Sequence, residues 1–162
     1  MKVRKMLSED IESITKIYLE CFHGMKEFDT AKDWIRIKYN GYPINRYYVI
    51  EDDIIKGYIL WIELGGFRKE AVLELEQIAI SPKYQGRGLG SFLIKESLKD
   101  VNKDIIARGS TIKLVKVTTG TDNKAQRLYI KTLNAKPIAV IPDLFRGDEV
   151  ILIARKNDLD LS

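Results

Sequence analysis

Apolar and polar residues alternate from Val72 to Ile80, placing Leu73, Leu75, Gln77 and Ala79 on one face and Glu74, Glu76, Ile78 and Ile80 on the other. A period of two belongs to a pleated strand, and Pro82 ends it. Past Gly90 the period lengthens. Ile94, Leu98, Val101 and Ile105 recur at helical spacing up to a stop at Arg108-Gly109, so Gln85-Gly86-Arg87-Gly88-Leu89-Gly90 sits at the mouth of a helix.

The pattern on either side supplies further elements. Met1 to Met6 reads as a short strand, and Ser8 as a helix N-cap with Glu9 and Asp10 suited to the positive end of the helix dipole. Ile11, Ile14, Tyr18, Cys21 and Phe22 form the stripe of that helix. A second helix is predicted over Thr30–Tyr39, with Ala31, Trp34, Ile35 and Lys38 on related faces and a stop at Asn40-Gly41-Tyr42-Pro43. Tyr47–Glu51 and Ile55–Leu64 read as strands joined by a hairpin at Asp52-Asp53, and Gly65-Gly66 turns the chain into the central strand. Downstream, strand Ile112–Thr119 leads through Gly120-Thr121-Asp122-Asn123 into a helix with Ala125, Leu128 and Tyr129 on one face. Pro137–Ile141 and Glu149–Arg155 are the last predicted strands.

The glycine turn carries the first chemical signal. Glycine at 86, 88 and 90 admits turn conformations closed to other residues and keeps side chains away from the backbone amides. A helix mouth leaves N–H groups without intrahelical partners, and Arg87 adds positive charge, so the turn suits an anion. A phosphate-binding P-loop needs Gly-Lys-Ser/Thr where Leu89-Gly90-Ser91 stands, and a dinucleotide turn needs G-x-G-x-x-G where this is G-x-G-x-G.

Gln85-x-x-Gly88-x-Gly90, directly after Ile78-Ala79-Ile80-Ser81-Pro82, resembles the pyrophosphate loop of the GNAT superfamily of acyl-CoA-dependent N-acyltransferases. Asn123-x-Ala125-x-x-Leu128-Tyr129 resembles that family's second signature. One departure is visible. Leu133-Asn134-Ala135-Lys136 stands where the family commonly has Gly-Phe, and asparagine tolerates the left-handed cap conformation. The resemblance follows the element order along nearly the whole chain, with its motifs confined to residues 72–135.

What the resemblance implies is specific. The fold would be α+β, of the three-layer α/β type, with a mixed, mostly antiparallel sheet of roughly six to seven strands, a splayed central pair and about four flanking helices. Acetyl-CoA would be the co-substrate, without a metal. It would be held by the backbone of Ile78, Ala79 and Ile80, by Gln85, Gly86, Arg87, Gly88, Leu89, Gly90 and Ser91, and by the Asn123 side chain. The Tyr129 hydroxyl would lie near the thioester sulfur. The aromatic-rich stretch between the first two helices would cover the acceptor site.

Acyl transfer from a thioester to an amine needs a deprotonated amine, a polarised carbonyl and a proton for the departing thiolate. Glu76, with Glu74 in reserve, is the expected base, because both lie on one face of the central strand and Glu76 is nearer its splayed end. Tyr129 is the expected acid, since a phenol with a reference pKa near ~10 stays protonated at neutral pH. A backbone N–H at Ile78 or Ile80 would polarise the carbonyl. The acceptor is left open between a protein N-terminus or lysine and a small amine such as a polyamine; Glu63, Glu70, Glu74 and Glu76 would suit the latter if they formed an acidic pocket. The alternative from another class is a non-catalytic acyl-CoA-binding regulatory module, which loss of the thioester-side tyrosine would mark, yet Tyr129 is present.

Composition narrows the rest. A chain of 162 residues buries roughly 70% of its unfolded surface, so a single domain over residues 1–162 is expected. No apolar run approaches the ~20 residues of a membrane span, and MKVRKMLSED has no apolar signal core. With one cysteine, Cys21, no internal disulfide forms, and a cytoplasmic location follows as the expectation. One histidine and one cysteine do not build the usual zinc shells. Cys21 reads as a packing residue and His23 as a surface or capping one. The net charge of +4 is carried by scattered lysines, so specific nucleic-acid binding is not expected. A homodimer is left open.

Overall fold

The computed structural model describes residues 1–162. Seven strands form one sheet in the order β1-β2-β3-β4-β5-β7-β6. The strands are β1 Lys2–Lys5, β2 Asn45–Glu51, β3 Ile55–Leu64, β4 Glu70–Ile80, β5 Thr111–Gly120, β6 Lys136–Ile141 and β7 Glu149–Arg155. Four α-helices accompany them: α1 Ile11–Cys21, α2 Phe28–Tyr39, α3 Leu89–Ala107 and α4 Gln126–Leu133. β1 pairs antiparallel with β2, β5 with β7 and β6 with β7, whereas β4 and β5 are parallel. This is the mixed, mostly antiparallel sheet and helix complement that the sequence predicts. No helix is long and apolar enough to cross a membrane.

By its contacts the chain divides into two compact units. The first comprises Met1–Trp61 and Gln77–Ser97. Its core is built from Ile14, Ile35, Tyr48, Ile50, Tyr58, Ile59, Trp61, Ala79, Leu93 and Ile94, all buried. The Trp61 indole N–H donates to Ser97 Oγ at 2.9 Å, so the largest side chain of this core has its one polar group satisfied. Helices α1 and α2 pack together, each presenting an apolar stripe. Ala31 and Ile35 form that of α2, but Trp34, expected on a related face, is 59% exposed.

One expected cap moves. Ser8 opens a short 3₁₀ turn, and it is Asp10 that satisfies the chain entry: its carboxylate accepts the Leu7 N–H at 2.7 Å and the Arg4 guanidinium at 2.7 and 3.1 Å. Arg4 also donates to Glu51 at 2.8 and 3.0 Å. A carboxylate that can take charge-assisted bonds outcompetes a serine hydroxyl for the same N–H groups.

The second unit comprises Ile62–Glu76 and Leu98–Ser162. Leu73, Leu75, Leu98, Val101, Ile105, Val115, Leu152 and Ala154 are buried in it, so the apolar faces of β4 and of the α3 stripe are as the periodicity places them. Parallel pairing of β4 with β5 runs from Glu70 and Thr111 to Glu74 and Lys116. The ladder ends there, while β4 continues to Ile80 and β5 to Gly120. Leu75 and Glu76 thus carry no ladder partner on β5, which is where the expected splay begins.

Candidate active site

In the first unit the end of β4 is held from several sides. The Ser81 N–H donates to the Lys56 carbonyl at 2.9 Å, and the Ser81 hydroxyl to Glu20 at 2.9 Å. Gly57 lets β3 come close: a Cβ there would lie 2.6 Å from the Ala79 carbonyl oxygen. Pro82–Tyr84 then makes a single 3₁₀ turn, and Gln85 returns to the strand by donating from Nε2 to the Ile80 carbonyl at 2.8 Å. The Cys21 thiol donates to the same oxygen at 3.4 Å. Burial pushes that thiol's pKa up, with the Glu20 charge adding to it, so Cys21 is a packing residue and a poor nucleophile.

The glycine turn follows. Gly86 has φ +74° and Gly88 φ +77°, left-handed values that favour glycine, while Gly90 already lies in the first turn of α3. A side chain at 86 or 88 would meet nothing within 4 Å, so backbone conformation and not crowding selects glycine there. The Phe92 N–H donates to the Gly88 carbonyl at 3.1 Å as α3 begins. The amides of Leu89, Gly90 and Ser91 therefore stand before that bond, at the positive end of a 19-residue helix. Two cations meet the Tyr84 ring just before the turn. The Arg87 guanidinium lies 5.7 Å from the centre of the Tyr84 ring and donates to the Lys83 carbonyl at 3.1 Å, and the Lys56 ammonium lies 5.1 Å from the same ring. A helix mouth of this kind has the chemistry to take an anion on its backbone amides.

A cavity of about 320 Å³ also lies in the first unit, lined by Tyr18, Met25, Ala31, Trp34, Ile35 and Gln77 among others. It lies where α1, the segment after it, α2 and β4 come together. The Tyr58 hydroxyl donates to Gln77 Oε1 at 3.1 Å and orients that amide. The alternation of β4 places Gln77 on its apolar face, and a polar residue there is the one signal in the sequence that something other than core lies opposite.

The second unit holds the other named residues. The Asn123 side chain organises the turn into α4, donating from Nδ2 to Thr119 Oγ1 and accepting the Ala125 N–H at Oδ1, each at 2.9 Å. Ala125 is the N-cap and not a helix-face residue as expected, since the helix starts at Gln126. The departure at 133–136 is conformationally sound: Asn134 closes α4 with φ 54° and ψ 31°. Tyr129 is 6% exposed, and burial pushes its phenol pKa up to about 12.

The acids behave differently from one another. Glu74 faces Lys116 at 3.3 Å, and the two residues are register partners across β4 and β5. Glu76 is exposed. Glu63 is buried and takes both arms of the Arg108 guanidinium, one at 2.9 Å; Glu70 lies 4.0 Å from Lys113. The acidic pocket that these residues would have made for a polyamine is not formed, because Glu63, Glu70 and Glu74 each face a cation of their own. No group of three or more His, Cys, Asp and Glu residues is placed to hold a metal ion.

The sequence profile of the Acetyltransferase (GNAT) family matches residues 11–134. An uncharacterized N-acetyltransferase of Methanocaldococcus jannaschii is 24% identical over 165 aligned residues, covering 89% of this chain and 64% of that protein. The chain thus spans less than two-thirds of the length of that curated relative. Among solved structures, a variant of spermidine N-acetyltransferase from Vibrio cholerae superposes with a TM-score of 0.73 at 19% identity, over 96% of this chain and 94% of the other. The ribosomal-protein-alanine N-acetyltransferase of Brucella melitensis superposes with a TM-score of 0.72 at 12% identity, over 96% of this chain and 99% of the other. These likenesses show the same fold, and the profile match over most of the chain shows that it belongs to the acetyltransferase (GNAT) family.

Proposed function

We propose that the chain transfers the acetyl group of acetyl-CoA directly to a primary amine. The observation that carries this reading is the anion site at the start of α3, where Gly86 and Gly88 in left-handed conformations lead the backbone into a helix mouth flanked by Lys83 and Arg87. The pyrophosphate of CoA is the matching ligand, with Ile78, Ala79 and Ile80 serving its pantetheine arm and Asn123 shaping the turn before α4. Amine nitrogen attacks the thioester carbonyl, the new C–N bond forms and the C–S bond breaks; one proton leaves the amine and one reaches the thiolate, giving an N-acetylamine and CoA.

Tyr129 is assigned to the sulfur. A phenol at about 12 holds its proton more tightly than a thiol near ~8.5 does, so it acts as a hydrogen-bond donor to the developing thiolate, and net protonation of sulfur draws on the proton that the amine releases. Glu76, more exposed than Glu74, is assigned to the amine proton, with Glu74 in reserve. A lone half-buried thiol fits a reducing compartment, and we place the protein in the cytoplasm. The experiment is release of free thiol from acetyl-CoA across pooled primary amines and peptides: acceptor-dependent release supports the reading, and acetyl-CoA binding without release for any acceptor favours a regulatory acyl-CoA-binding module.

A further inference from the structure

The cavity lined by Tyr18, Trp34 and Gln77 has a chemistry that selects among amines. Its volume, about 320 Å³, is at the small end of the ~300–1,000 Å³ typical of ligand pockets, enough for one ring and a short chain. Met25, Ala31 and Ile35 supply apolar wall, Tyr18 and Trp34 supply rings, and the polar lining is limited to Thr30 and Gln77 beside the tyrosine hydroxyl. No carboxylate lines it. Gln77 Oε1 already accepts from the Tyr58 hydroxyl, so this lining offers an ammonium no more than the remaining lone pair of one neutral amide oxygen.

Charge nearby points the same way. The Lys38 ammonium lies 5.8 Å from the centre of the Trp34 ring, and the Lys32 ammonium 5.9 Å from that of Phe28, so the aromatic faces of α2 already carry cations. The one acid bonded to a lining residue is Glu27. Its carboxylate caps α2, accepting the N–H groups of Asp29 at 3.1 Å and Thr30 at 2.8 Å and the Thr30 hydroxyl as well. Those bonds hold its pKa below the usual carboxylate range and commit its oxygens to the helix start. A second ammonium brought into this cavity would lose part of its hydration without an anionic partner.

We propose that the cavity seats the acceptor and that the acceptor is a small monoamine with an apolar, ring-sized body, an arylalkylamine in chemical class, and not a polyamine. The inference rests on the acetyl-transfer reading above. It uses the cavity's own residues, so the spermidine specificity stated for a protein of like fold does not pass to this chain.

The test uses the purified chain with 2-phenylethylamine and spermidine as probes. Trp61 is fully buried and Trp34 is 59% exposed, so a ligand covering Trp34 shifts its emission to shorter wavelength, and the shift is lost in Trp34→Phe. The expected result is a saturable shift with 2-phenylethylamine and none with spermidine. It should come with kcat/KM from thiol release at least about 100-fold higher for the former, since each ~1.4 kcal/mol is tenfold. Trp34→Ala should raise KM for the arylalkylamine roughly tenfold while acetyl-CoA affinity stays unchanged. Equal or better turnover of spermidine overturns the inference, as does thiol release with some other amine while neither probe shifts Trp34; in both cases the transfer reading stands. Failure to bind acetyl-CoA or to release thiol with any acceptor sinks the transfer reading and this inference together.

Discussion

The side-chain amide of Gln85 donates to the carbonyl oxygen of Ile80 across 2.8 Å, so the first residue of the glycine turn is fastened to the last residue of the strand before it. The bond spans the 3₁₀ turn at Pro82–Tyr84 and sets how the chain enters the helix mouth. In the proposed function, Gln85 would serve CoA binding by shaping this turn. Gln85→Ala removes one exposed hydrogen bond of roughly 1 kcal/mol, so the melting temperature should hardly move, while the dissociation constant for acetyl-CoA should rise about tenfold as the turn loosens. Calorimetry on the two proteins checks this.

Glu63 and Arg108 make a two-armed ion pair in the second unit. The guanidinium sits 4.7 Å from the centre of the Phe67 ring as well, and the Glu63 hydrogen bonds raise its pKa. Glu63→Gln leaves a partly buried guanidinium without its counter-charge and should cost about 3 kcal/mol, or roughly 10 °C in melting temperature for a chain of this length. Acetyl-CoA affinity should be unchanged at a temperature where the variant is folded. Thermal unfolding beside calorimetry separates the two effects.

Tyr129→Phe deletes one hydroxyl and keeps the packing. Turnover should fall by roughly 10²-fold or more with acetyl-CoA affinity little altered, the mark of a donor used only as charge develops on sulfur. The raised pKa has a pH consequence. A phenol at about 12 stays protonated from neutral pH to well above pH 10, so Tyr129 should impose no falling limb on the pH–rate profile below that point.

Glu76→Gln should lower the rate at neutral pH, with the loss shrinking as pH rises and free amine becomes abundant without help. Glu74→Gln should matter less, because in the native chain that carboxylate already faces Lys116. Steady-state profiles of both variants decide the order. If each keeps the wild-type profile, neither carboxylate handles the proton.

Local periodicity made much of this structure legible. The change of period at Gln85–Gly90 located β4, the turn and α3, and the buried faces at Leu73, Leu75, Ile94 and Leu98 follow from it. What stayed hidden depends on which segments meet. That Lys116 stands opposite Glu74 is set by a parallel register, and that Arg108 reaches Glu63 by contact across 45 positions, neither of which leaves a periodic trace. Asp10 displaced Ser8 as the cap because Arg4 is at hand to share it. Residue type marks Asn123 as a cofactor ligand by resemblance, and its bonds to Thr119 and Ala125 add a turn-shaping role that residue type alone does not reveal. The cavity beside Gln77 was signalled only as an aromatic-rich stretch, since a cavity is what side chains leave empty.

The central claim is that the mouth of α3 binds the CoA pyrophosphate, and a matched pair of glycines tests it most directly. Gly88 at φ +77° and Gly66 at φ +79° each have open space where a side chain would go, so glutamate at either position brings the same backbone strain and the same charge. Titration calorimetry with acetyl-CoA should show wild-type affinity in Gly66→Glu and no measurable binding in Gly88→Glu, both proteins folded by circular dichroism. Unchanged affinity in Gly88→Glu, or equal losses in the two variants, would contradict the account.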